Sequence, residues 1–140
     1  MCDQPARIPA PAGVAPAARY SHAVTATGRF VAVSGQLALD EDGKPVGVAD
    51  PAARASEVFE NLRRCPAAAG AGFQHVVKPT CFVTDMAYPL ASRAARAAHI
   101  PDGRLPAASA VQVAALVAPE FLMEVEALAV VGEQSRANVA

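Results

Sequence analysis

The sequence predicts a small α/β protein of the mixed α+β kind, with the element order β-β-α-β-α-β-β and two helices on one face of a sheet. Three observations predict it. Apolar and small or polar residues alternate over 30–39, apolar residues recur at helical spacing over 51–65, and strand-like runs return at 76–84 and 121–131. Glycine, proline and aspartate clusters punctuate these stretches. At 140 residues, 53% hydrophobic and 18% charged, the chain has apolar surface enough for one packed core.

Taken in order, residues 1–15 carry Pro5, Pro9 and Pro11 and read as an extended leader; 16–131 read as the domain and 132–140 as a flexible tail. One strand of that order comes before residue 30. In the next, Val31, Val33, Leu37 and Leu39 should share one face, with Ala32, Ser34, Gln36 and Ala38 on the other. A turn follows at 40–43. Asp50 can cap a helix whose first turn suits Pro51, and Val58, Phe59, Leu62 and Cys65 form its apolar stripe. Pro66 cannot donate to the Leu62 carbonyl, so this helix should end or kink near Cys65.

Over 76–84, Val77, Cys81 and Val83 are expected on one side and Val76, Thr80 and Phe82 on the other. Pro79 there demands an edge position, a bulge or an amide site facing away from its neighbour. A second helix over 89–100 would turn Leu90, Ala94, Ala97 and Ala98 to the core and stop at Pro101 and Gly103. The last strands are expected over 108–116 and 121–131. With both helices on one face, the other face, including Ala32, Ala38, Val113 and Val125, would leave an apolar patch on a monomer, which argues for symmetric association.

Composition narrows function. Twelve Lys and Arg against thirteen Asp and Glu, without a basic stripe or aromatic array, speak against nucleic acid as a partner. The leader lacks an apolar run long enough for a signal peptide or membrane span. Cys2, Cys65 and Cys81 have no metal-ligand spacing and leave a thiol over however they are joined, as reduced cytosolic thiols would. The expectation is a cytoplasmic protein with no metal and no cofactor.

Several ordered segments carry a resemblance. They are Tyr20-Ser21-His22-Ala23-Val24, Phe30-Val31-Ala32-Val33-Ser34-Gly35-Gln36-Leu37, Glu57-Val58-Phe59-Glu60-Asn61-Leu62, Phe82-Val83-Thr84-Asp85-Met86, the stretch from Leu105-Pro106-Ala107-Ala108-Ser109-Ala110 onward, and Met123-Glu124-Val125-Glu126-Ala127-Leu128. In this order they resemble the Rid/YjgF family of reactive-intermediate imine/enamine deaminases. The resemblance implies a chorismate-mutase-like fold, a homotrimer and small-molecule clefts between adjacent subunits. Some members have been labelled ribonucleases, an idea this charge balance does not help.

Glu124 and Glu126 are two apart on one strand, so their side chains share a face about 6.5 to 7 Å apart. Glu124 matches the family's acidic residue, and a carboxylate beside an imine can orient water and shuttle a proton. Its bland alternative is an ion pair at a subunit contact; Glu126 reads as structural. By the same resemblance Ser34 and Gly35 match the pocket strand and Tyr20 the cleft tyrosine, while Ala108, Ser109 and Ala110 lie on the substrate-binding segment. Ala108 stands where the family usually has the arginine that grips the substrate carboxylate, and Ala110 where some relatives have cysteine. Arg93, near a family asparagine, could supply positive charge from another side, as could Arg96 or Arg104; solvated arginines are the plain alternative. A serine-triad reading using His22 or His75 with Asp85 lacks a nucleophile elbow around Ser34. His99 reads as a helix C-terminal cap, and Cys81 as a small strand side chain rather than a nucleophile.

Three functions fit: a diverged Rid-like enzyme hydrolysing or tailoring a small imine, enamine or related carbonyl metabolite, and not an ordinary 2-aminoacrylate deaminase; a catalytically silent trimeric metabolite-binding or regulatory protein; or an amidohydrolase-like or biosynthetic tailoring activity on the same cleft.

Overall fold

The computed structural model describes residues 4–132. The expected tail from 133 and Cys2 lie outside the described residues. The strands are β1 (Ala6–Ile8), β2 (Ala23–Thr25), β3 (Arg29–Gln36), β4 (Val76–Val83), β5 (Ser109–Gln112) and β6 (Met123–Val131); the helices are α1 (Pro51–Ala67), α2 (Tyr88–Ala91) and α3 (Arg93–His99). Four strands make the main sheet in the order β3-β6-β4-β5, with β6 antiparallel to both neighbours and β4 parallel to β5. The stretch read as a leader contributes β1, which pairs with β2 as a separate ribbon.

The helices pack on one face, and α1 seals it. Asp50 accepts from the amides of Ala52 and Ala53 at 3.1 and 3.2 Å, and Pro51 opens the helix as expected. Val58 and Leu62 are fully buried against Val33, Val125, Ala127 and Ala129. Cys65 is exposed instead, and Pro66 takes the buried position. A proline in the last turn forfeits one bond near the end of the ladder, so the helix runs on to Ala67.

Two register shifts overturn the expected strand faces. In β3, Val33 pairs with Ala127 and Gln36 with Val125, so Ser34 and Gly35 together oppose a single residue of β6. One extra residue inverts everything after it, and Ala38 is buried with Val33 although five positions apart. A second shift between Val76 and Lys78 puts Val76 in the core with Val83. Pro79 sits between that irregularity and the first β4–β5 pair, Thr80 with Ser109, in an interior strand. The patch expected on the far face is corrected with them. Ala38 and Val125 belong to the core. The uncovered face carries Phe30, Ala32, Phe82, Leu128 and Val130, with Phe30 61% exposed.

The second helix also differs. It breaks at Ser92, whose hydroxyl donates to the Pro89 carbonyl at 3.0 Å, and its inward side is Tyr88, Ser92, Ala95 and Ile100. Leu90, Ala94, Ala97 and Ala98 point outward, Leu90 62% exposed. The true stripe has the predicted spacing in a different phase, because an alanine-rich stretch offers little hydrophobic contrast.

Candidate functional site

The expected residues fall into two groups. The first lies where β3 meets β6. Buried Met123, Val125 and Ala127 force Glu124 and Glu126 onto the uncovered face. The β3 bulge brings Gly35 beneath Glu124 so closely that any β-carbon on Gly35 would overlap the Glu124 carboxylate. Ser34 beside it is exposed. Ion pairs among the described residues involve Glu57 and Glu60 alone, so Glu124 has no cation partner among them. Asn61, reaching from α1, donates to the carbonyls of Leu37 and Leu39 at 3.0 and 2.9 Å and fixes the chain just past the bulge.

The second group surrounds a cavity of about 250 Å³ between β4, β5 and α3, lined by Tyr20, Cys81, Arg96, Ala108, Ser109 and Ala110 together with apolar side chains. Tyr20 is held there by its neighbour: the buried Ser21 hydroxyl donates to the Leu105 carbonyl at 2.6 Å and its amide to the Pro106 carbonyl at 2.9 Å. His22 bonds the Ala15 carbonyl at 2.6 Å and meets Tyr20 edge to face, a structural part. Burial pushes the Cys81 thiol up to about 11, too high for a ready thiolate. Neither Glu124 nor Ser34 nor Gly35 lines this cavity.

Of the three arginines proposed to supply the missing charge, Arg96 alone lines the cavity of Ala108. Arg93 is exposed over a shallower hollow, and Arg104 is exposed in its turn. His99 does more than cap a helix. Its Nδ1 bonds the Ala95 carbonyl at 2.9 Å, its Nε2 meets Glu60 at 2.8 Å, and its ring packs against Phe59 and Phe73. Sequence reasoning missed Arg54, a buried guanidinium donating to the carbonyls of Gly47, Val48 and Glu120. Its only signal was an arginine one turn into an apolar helix, which reads equally as solvated.

A mixed sheet with one helix-covered face, a bulge bearing Ser-Gly and a carboxylate above that glycine define this α+β fold. Residues 10–131 match the family described as endoribonuclease L-PSP. The chain is 34% identical over 128 residues to a RutC family protein of Synechocystis sp., covering 91% of this chain and 93% of that one. It is also 34% identical over 125 residues to the 3-aminoacrylate deaminase RutC of Acinetobacter baylyi, covering 89% and 98%. Among solved structures it resembles the Rid-family protein YyfB of Yersinia pestis, with a TM-score of 0.75 and 31% identity over 89% of this chain and 98% of that one. The chain belongs to the Rid/YjgF family. No helix among the described residues is long and apolar enough to cross a membrane.

Proposed function

We propose that this protein hydrolyses or tailors a small imine, enamine or related carbonyl metabolite in clefts between the protomers of a homotrimer. The observation that carries the reading is Glu124, a carboxylate laid over Gly35 with no cation among the described residues to neutralise it. In the reaction, water adds to the imine carbon as Glu124 accepts its proton and passes it to nitrogen, giving a carbinolamine; the carbinolamine hydroxyl proton then moves through the same carboxylate to nitrogen, the C–N bond breaks, and a carbonyl compound and ammonia leave. The relative named 3-aminoacrylate deaminase supports this chemistry. A trimer is supported by the uncovered face of Phe30, Phe82 and Leu128, and because Glu124 and the cavity of Tyr20 and Ala108 lie apart in one protomer. A second copy seated on that face would let one ligand touch both.

Ala108 departs from the family, and it limits the substrate. Alanine offers neither charge nor donors where a guanidinium would hold a carboxylate, a contact worth about 1.5 to 3 kcal/mol. Purified protein should release little ammonia from freshly generated 2-iminopropionate, and Ala108→Arg should raise that release. Efficient turnover by the unmodified protein overturns the altered specificity. With imines lacking a carboxylate, Glu124→Gln should slow hydrolysis by about 10²- to 10⁴-fold; equal rates remove Glu124 from the mechanism. The same absent guanidinium favours the second reading, a silent metabolite-binding trimer, which predicts no hydrolysis by either protein.

A further inference from the structure

We infer that the cavity beneath β5 binds a small organic carboxylate with an apolar body, anchored by Arg96 of α3. The Arg96 guanidinium is half-buried, and its one hydrogen bond among the described residues is from Nη2 to the Arg19 carbonyl at 2.8 Å. No carboxylate lies within ion-pair distance of it among the described residues: Glu57 and Glu60 take the ion pairs, and Asp102, beside Arg19 and Arg93 in the hollow behind Arg96, makes none. Burial, and Arg19 nearby, push the Arg96 pKa down, whereas Cys81 opposes them. A guanidinium nonetheless stays charged at neutral pH. A half-buried cation without a counter-ion has lost part of its hydration, and an anion entering the cavity offsets that loss through paired charge-assisted hydrogen bonds.

The walls choose the rest of the ligand. Phe59, Pro79, Ile100 and Val125 form an apolar lining, and Ala108 and Ala110 widen it with methyl groups. Arg96 is the only cation in that lining, so one negative charge is matched and the second charge of a phosphate monoester is not. The clamp has therefore moved from β5 to α3. A three-carbon imino acid held by Arg96 would sit away from Glu124, which accords with the low ammonia release expected of 2-iminopropionate. The inference rests on the reading above in treating this cavity as part of the ligand cleft.

The test is an NMR titration of the full chain with benzoate and with benzamide, its uncharged analogue. Benzoate should shift the amides of Ala108, Ser109 and Ala110 and bind at least about ten-fold more tightly than benzamide. Arg96→Gln should reduce benzoate affinity to that of benzamide, Arg96→Lys should fall between, and Arg63→Gln should change nothing. Equal affinity for the two probes, shifts confined to the surface away from β5, or unchanged benzoate binding by Arg96→Gln overturns the proposal. Should Arg96→Gln fail to fold, the comparison of probes on the unmodified protein decides alone. Benzoate titration reads Arg96 without any turnover, so loss of the hydrolytic reading and loss of this one are separate results.

Discussion

The two faces of the main sheet are built from the same strands and obey different rules. Toward the helices, Val33, Val125, Ala127 and Ala129 meet Val58 and Leu62, and every side chain is small or branched and dry. Toward the open side, the intervening residues of β6 are Glu124, Glu126, Leu128 and Val130, none fully buried, facing Phe82, Thr80 and Phe30 across the strands. A carboxylate with no partner is tolerable only where water or a ligand can reach it. Stability is concentrated on the covered face, which leaves the open one available for chemistry and association.

Substitutions on either side can break that division. Leu62→Ala, at a fully buried position, should cost about 2 to 5 kcal/mol in chemical denaturation; a cost below 1 kcal/mol would mean that α1 does not seal the core. On the other face, Gly35→Ala should do the reverse. Its methyl displaces the Glu124 side chain, so imine hydrolysis should fall by about 10²-fold while the denaturation midpoint stays close to that of the unmodified protein. A large loss of stability without loss of rate would place Gly35 with the core instead. The smallest effect concerns the helix layer. The hydrogen bond from Arg63, then that from His99, holds the Glu60 carboxyl at about 2, below its ordinary 4.5. A carboxyl depressed on folding adds stability above its unfolded pKa and loses it as pH falls from 4.5 toward 2. Melting temperatures across that window should therefore drop less for Glu60→Gln than for the unmodified protein, with the difference shrinking in high salt because the pair is partly exposed.

Much of this was legible beforehand. The Asp50 cap, the Val58, Phe59 and Leu62 stripe, and the turn in which Asp40 accepts from the amides of Asp42 and Lys44 rest on interactions between near neighbours. The same holds for the shared face of Glu124 and Glu126, set by alternation along one uninterrupted strand. The misread strand faces fail for one reason. Val76, Leu37, Leu39 and Ala38 follow or precede a bulge, and an extra residue there shows only against the partner strand.

By itself, the sequence determined the order of the main-sheet strands and the first helix, the helix cap and core stripe, and the family, since each depends on residue type or local spacing. Tertiary structure alone decided that β6 lies between β3 and β4, that Gly35 sits under Glu124, and that Arg96 rather than Arg93 reaches the cavity of Ala108. Those outcomes depend on register and helix phase between segments distant in the chain. Both are fixed by which packing buries the most apolar surface without stranding polar groups, and no local pattern encodes that balance.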